Sequence, residues 1–411
     1  MTGQSEIHAP DSRYSWVRLA VSLALAAIGG IGLWSPVVVL PTIQAEFGID
    51  RAGASLPYMV TTIGFAVGGV MMGRAADRFG ITVPLFAGAI ALGAGFVLAA
   101  FSASYWQFLV VQAVLIGMLG SSATFGPLVA DVSQWFLRRR GIAVAIVASG
   151  NYLAGTVWPP FLQRAIDAYG WRPAYVVIGI LCILTTMPLA LLLRRRPAFH
   201  DEASPASGSL AGGGLLPKPV LLQPMLILAG LACCVAMSMP QVHIVAYCAD
   251  LGYGPARGAE MLSLMLGFGV VSRLASGFVA DRIGGVGTLI VGSVFQCLAL
   301  LFYIPFDGLA SLYIVSALFG LAQGGIVPSY ALIIRDHFPA REAGSRISLV
   351  LTATVLGMAL GGWMSGKIFD LTGSYQAAFL NGIVWNLLNL GIALWLLAVR
   401  TRGRRPLPGL A

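Results

Sequence analysis

Gly73-Arg74-Ala75-Ala76-Asp77-Arg78-Phe79-Gly80 and Gly277-Phe278-Val279-Ala280-Asp281-Arg282-Ile283-Gly284 carry one pattern, G-x-x-x-D-R-x-G. Each copy lies between two apolar runs of membrane-spanning length, so each marks a turn at a membrane surface. Its glycine allows two helices to approach, and its Asp and Arg are placed to pair across helix ends. Two more correspondences follow in step. Phe136-Leu137-Arg138-Arg139-Arg140-Gly141 leads into the fifth apolar run as Phe338-Pro339-Ala340-Arg341-Glu342-Ala343-Gly344 leads into the eleventh. Tyr169-Gly170-Trp171-Arg172-Pro173-Ala174-Tyr175 parallels Thr372-Gly373-Ser374-Tyr375-Gln376-Ala377-Ala378-Phe379.

Working outward, apolar runs cover 16–41, 55–74, 81–103, 105–131, 141–164 and 172–194, then 220–248, 256–280, 285–306, 308–334, 343–368 and 375–400. The expected fold is therefore an all-α membrane protein of twelve transmembrane helices in two pseudo-symmetric six-helix bundles. The expected division is an N-terminal tail (1–15), a first bundle (16–194), a linker (195–219), a second bundle (220–400) and a C-terminal tail (401–411). Parallel halves with a site between them are a known transporter architecture.

Composition agrees. The 411 residues are 58% hydrophobic and 10% charged, with a mean hydropathy of +0.85, whereas a soluble domain carries about 25% charge. The net charge of +9 reads as topology, because basic residues cluster between apolar runs. Arg13, Arg18, Arg74, Arg78, Arg138, Arg139, Arg140, Arg194, Arg195, Arg196, Lys218, Arg282, Arg335, Arg341, Arg346, Arg400, Arg402, Arg404 and Arg405 fall on one side. Arg51, Arg164, Arg172, Arg257 and Lys367 fall on the other. Both termini are thus expected to be cytoplasmic, and no nucleic-acid partner is implied. Cys182, Cys233, Cys234, Cys248 and Cys297 lie in apolar runs without metal-ligand spacing and read as packing residues. No cleavable signal peptide is recognisable, and with short loops and tails the expected location is a bacterial inner membrane. A monomer is expected, with no cofactor and no metal.

The doubled loop motif resembles the signature of the major facilitator superfamily. That resemblance implies a conformational role: Gly73, Asp77, Arg78, Gly277, Asp281 and Arg282 would gate the inner side. The segment from Trp135-Phe136 through Arg138-Arg139-Arg140 to Ser149-Gly150 is similar to the corresponding element of monocarboxylate transporters and their oxalate/formate-type relatives. The first segment from Trp16 to Glu46-Phe47-Gly48 and the Pro240…His243…Tyr247…Asp250…Gly252 stretch are similar too. The resemblance places a substrate-binding arginine at Arg273. There are departures: Tyr14-Ser15-Trp16 replaces a glycine-rich element, and Trp34 or an uncharged neighbour stands where a proton-linked lysine is found. Gly269 stands where an aspartate precedes the arginine by one turn, and the eleventh helix has only Lys367, near its outer end.

Arg273 is the sharpest candidate on the residues alone. It sits among Val270, Val271, Leu274 and Ala275, and an arginine inside a membrane helix costs about 2.5–3.5 kcal/mol. Its planar fork suits a carboxylate; the alternative is a snorkelling or structurally paired side chain. No acidic residue falls at a helix centre to be its standing partner, Asp131 being the deepest, so one cation favours a monocarboxylate. His243 is the interior group that changes charge near neutral pH; it serves either the proton or the substrate, or is a neutral structural histidine beside a helix break at Pro240. Asn151, Tyr152, Gln323 and Tyr330 are preferred pocket residues, with Tyr58, Thr62, Ser121, Ser122 and Thr124 as lesser ones. Gly29-Gly30, Gly324-Gly325 and Gly361-Gly362 read as packing sites that permit sliding, and Pro159-Pro160 and Pro328 as bends.

The sequence has no P-loop, Cys/His cluster or acid pair for catalysis. The expected function is secondary transport of small monocarboxylates such as lactate or pyruvate by alternating access, coupled to protons carried on His243, on the substrate, or by competition at Arg273. The rivals are oxalate/formate-type anion exchange, export of a larger hydrophobic solute, and a non-transporting receptor built on the same fold.

Overall fold

A computed structural model describes residues 11–195 and 219–402; most of the expected linker and tails lies outside them. With no water in the hydrocarbon to satisfy backbone polar groups, a lipid-embedded chain must close its hydrogen bonds within helices, and the described chain does so. The spanning helices are α1 (Arg13–Phe47), α2 (Arg51–Phe79), α3 (Thr82–Ala100), α4 (Tyr105–Trp135), α5 (Arg140–Tyr169), α6 (Trp171–Leu192) and α7 (Leu221–Asp250). A continuous stretch, Pro255–Phe302, follows. Its 48 residues would reach about 72 Å as a straight helix, over twice the bilayer core. It bends at Gly284, where φ is 74° and ψ 172°, and so divides into α8 (255–283) and α9 (285–302). Last come α10 (Leu309–His337), α11 (Glu342–Thr372) and α12 (Tyr375–Val399). Among the described residues the count is twelve, in two six-helix bundles.

Gly284 closes the second copy of the loop motif. Gly80 closes the first and adopts the same conformation, with φ 84° and ψ 162°. A side chain there would clash, which is why the motif ends in glycine both times. The helices outrun the apolar runs because polar caps extend them: Ser12 caps α1, Asp50 caps α2 through the Gly53 amide at 2.7 Å, and Ser104 and Gln107 form a capping box on α4.

Four spans are interrupted near mid-depth. α1 breaks at Gly30, α5 at Ser149, and α10 at Gly324-Gly325. In α4 a π-helical stretch, Gln112–Gly120, passes into a 3₁₀ turn, Ser121–Thr124. The breaks of α1, α4 and α5 meet: a Cβ on Gly29 would strike Thr124, one on Gly30 would strike Ala154, and one on Gly150 would strike Ala26, while the α10 break packs on α8 at Arg273 and Ser276. Broken helices around one level are where transporter sites form. The break expected at Pro240 is corrected, since α7 runs unbroken through it; a proline removes one backbone bond, which membrane helices tolerate.

Arg18, counted by sequence among the surface charges, is buried. Its Nε and Nη2 each lie 2.7 Å from a carboxylate oxygen of Asp131 on α4. Its remaining hydrogens reach the Tyr14 hydroxyl and the carbonyls of Leu193 and Arg195, and Trp135 lies under the guanidinium at 4.7 Å. The pair ties α1, α4 and the exit of α6 together. Removing one partner strands a buried charge at a cost of about 3–5 kcal/mol, whereas an apolar pair of similar volume is near neutral. Asp131→Ala should therefore lower the thermal unfolding midpoint of the purified protein sharply, and Arg18→Met/Asp131→Leu should recover most of the loss.

Candidate functional site

α5 and α8 face each other across the junction of the two bundles. The Ser263 hydroxyl donates to the Thr156 carbonyl, and a Cβ on Gly155 would strike both Leu266 and Trp34. Deeper along α8, Arg273 lies over the Tyr152 ring, 4.5 Å from its centroid. Its Nη1 donates to the Ala148 carbonyl at 2.9 Å. Ala148 immediately precedes the break in α5, so the interruption presents that carbonyl to the arginine. Among the described residues no carboxylate pairs with Arg273, and its Nε is buried without a hydrogen-bond partner.

Gln323 joins it. Its amide nitrogen lies 3.1 Å, and the Tyr152 ring 3.5 Å, from where a Cβ on Gly269 would sit. Gly269 is one helical turn before Arg273, on the same face of α8. The Gln323 oxygen accepts from the Gln241 amide on α7, and the Gln323 nitrogen is buried without a partner. The site thus offers two unmet donors, Arg273 Nε and Gln323 Nε2, beside an aromatic face. Trp34 supplies an apolar wall, its indole N–H held by the Asn151 carbonyl at 2.9 Å.

The other expected residues go elsewhere. The Asn151 side-chain oxygen lies against Gly30 of α1 and is itself unpartnered. Tyr330 donates to Asn389 at 2.8 Å, and Asn389 in turn to Ser293, inside the second bundle. Thr62, Ser122 and Thr124 bond to carbonyls of their own helices, and the Ser121 hydroxyl is buried with no partner. Tyr58 packs against Gly362 of α11.

His243 is completely buried and sits far from Arg273. Counting rise along α7 and α8 from their shared loop puts His243 about 11 Å deep and Arg273 about 27 Å. His243 Nε2 is 2.7 Å from the Gly362 carbonyl and Nδ1 is 3.0 Å from the Tyr375 hydroxyl. Because a carbonyl only accepts, Nε2 carries the proton and Nδ1 accepts from Tyr375. The Tyr375 oxygen then accepts from Arg51 Nη1 at 2.9 Å, while Arg51 Nη2 reaches Asp250 at 2.9 Å. Phe369 lies under the Arg51 guanidinium at 4.7 Å.

Asp370 of α11 completes this cluster by accepting the Arg51 and Ala52 amides, both at 2.8 Å. It is an anion on the positive N-terminus of α2, supplied by the other bundle. The cluster closes the two bundles at the end bearing Arg51. Sequence reading took Arg51 for an interfacial charge, and nothing local signals its partners. The end bearing most basic residues is different. Gly73, Gly277, Gly141 and Gly344 there face open space, with nothing within 4 Å of a built Cβ, so the motif glycines make no close approach in this conformation. Among the described residues none of Asp77, Arg78, Asp281 and Arg282 forms an ion pair there.

The sequence matches the Major Facilitator Superfamily over residues 22–319 and 288–410. It is 27% identical to monocarboxylate transporter 13 of Bos taurus over 380 residues, covering 90% of this chain and 86% of that one. It is 24% identical to an agnestins efflux protein of Paecilomyces divaricatus, over 87% of this chain and 82% of that one. In structure it resembles an inward-facing, unoccupied bacterial homolog of the human lysosomal transporter Spinster, with a TM-score of 0.71 at 13% identity over 97% and 99% of the two chains.

Asp370→Asn should loosen the Arg51 end. A cysteine placed at Tyr58 should then label faster with a maleimide supplied from that side than the same cysteine in the otherwise unchanged protein, measured above the background of the native thiols.

Proposed function

The chain belongs to the Major Facilitator Superfamily, and from that premise we propose that it carries small monocarboxylates, lactate- and pyruvate-like, by alternating access. The observation that carries this reading is Arg273: a cation at the bundle junction with an unmet Nε and no carboxylate beside it. The side chain is half-buried with its Nε unmet, and its fork suits a carboxylate. A single cation suits a single negative charge. Trp34 and Leu266, buried against Gly155, make the neighbouring packing apolar. The monocarboxylate transporters among the relatives support a small organic anion.

The Arg51 cluster is the closed gate, and the site opens toward the basic, cytoplasmic end. In the opposite state the cluster parts, and Asp77, Arg78, Asp281 and Arg282 close the basic end while Gly73 and Gly277 allow the helices together. A proton moving with the anion avoids a cost of about 2.3 kcal/mol per charge per 100 mV. That proton binds at His243 and not beside the substrate. With Nδ1 protonated, Tyr375 loses its acceptor and a second positive charge faces Arg51, so acid on the outer side loosens the gate and admits substrate. One chain in the bilayer suffices for the cycle.

A second reading, export of a larger hydrophobic solute, is favoured by the fungal efflux relative. The two diverge at Arg273. Loss of a charge-assisted pair worth about 1.5–3 kcal/mol lowers affinity by about 10- to 100-fold. Arg273→Ala should depress labelled lactate uptake into proteoliposomes by that order, with Arg273→Lys intermediate; unchanged uptake favours export. His243→Gln should flatten the dependence of uptake on external pH while leaving lactate affinity in place; a preserved pH profile puts the proton elsewhere.

A further inference from the structure

Two buried glutamines on different helices, Gln241 on α7 and Gln323 on α10, are joined amide to amide behind Arg273. Gln241 is 1% exposed and Gln323 fully buried. An amide side chain has a donor end and an acceptor end of almost the same shape, so its neighbours decide which end faces a site. Here the Gln241 N–H takes the Gln323 oxygen, and the Gln323 NH₂ is left facing Gly269 with no protein partner. A buried donor left unmet costs stability, and Arg273 Nε on the same face of α8 is unmet as well. The Tyr152 ring lies beside both groups. A side chain at 269 would press on the Gln323 nitrogen, 3.1 Å from where its Cβ would sit.

We propose that Gln241 is a positioning residue that sets substrate selectivity: it orients Gln323 so that the Gln323 NH₂ donates to an oxygen on C2 of the acid whose carboxylate Arg273 holds. The ligand class is a 2-hydroxy or 2-oxo monocarboxylate. A plain short acid, with no acceptor at C2, leaves the Gln323 donor unmet and gains nothing from its orientation. The inference rests on the carboxylate reading above. It adds a division of labour, with Arg273 taking the charge and the glutamine pair taking the C2 oxygen.

The test is equilibrium binding of radiolabelled lactate and propionate to the purified full chain, wild type beside Gln241→Leu, Gln323→Met and the double variant. Loss of one neutral hydrogen bond predicts about fivefold weaker lactate binding in each single variant, with propionate binding unchanged. The double variant should be no weaker than Gln323→Met alone, because Gln241 acts only through Gln323. An equal loss for both acids, or additive losses in the double variant, overturns the proposal and leaves the pair as packing. If Gln241→Leu does not fold, Gln323→Met carries the same lactate-against-propionate comparison. Wild type that binds neither acid overturns the carboxylate reading itself, an outcome distinct from loss of selectivity alone.

Discussion

A positive charge at a half-buried position between the bundles must be met by something, and at Arg273 the protein meets it only in part. A carbonyl exposed by the break in α5 takes one N–H and the Tyr152 face takes some of the charge. Neither neutralises it. The contrast with Arg18 is instructive. That arginine is saturated by a bidentate carboxylate, a hydroxyl and two carbonyls, and it serves as a structural tie. Similar side chains in one fold are finished in one place and left incomplete in another, and incompleteness at a bundle junction is what a binding site for an anion requires.

The surrounding architecture keeps that incompleteness useful. Close packing at Gly155, Gly362 and Gly366 joins the bundles from mid-depth to the Arg51 end. Charge closes that end: the α2 amides on Asp370, Arg51 on Asp250, and Tyr375 between Arg51 and His243. Toward the basic end Gly73 and Gly277 of the loop motifs have nothing within 4 Å of a built Cβ. Under the proposed alternating access, the Arg51 cluster is the contact that parts and the motif residues are the ones that close the other end.

Much of this was legible in the chain and some of it was not. The twelve helices were, because span length and charge asymmetry follow from the bilayer, and the doubled motif announced the glycines at 80 and 284. Arg273 stood out in the sequence as a lone cation in an apolar helix, and the structure places it between α5 and α8 with no carboxylate partner among the described residues. The Arg51 cluster was not legible. Its members come from α2, α7, α11 and α12, with Arg51 and Asp370 separated by 319 positions, and no spacing along a chain encodes that meeting. Gln241 was missed for the same reason, since its role exists only against Gln323. Tyr330 and His243 looked like pocket residues from depth and polarity, but depth does not say which way a helix face turns. A helix break was expected at proline in α7; the breaks fell instead at Gly30, within Gln112–Thr124 of α4, at Ser149 and at Gly324-Gly325.

The central claim is that the site recognises negative charge on a small acid through one arginine. Equilibrium binding of lactate compared with lactamide, its neutral amide of nearly equal size, tests that claim without reference to coupling, direction or gating. The account predicts saturable lactate binding and lactamide binding weaker by about 10- to 100-fold, the loss expected for one charge-assisted pair. Equal binding of the two would contradict it, because an uncharged ligand would then satisfy the site as well as an anion.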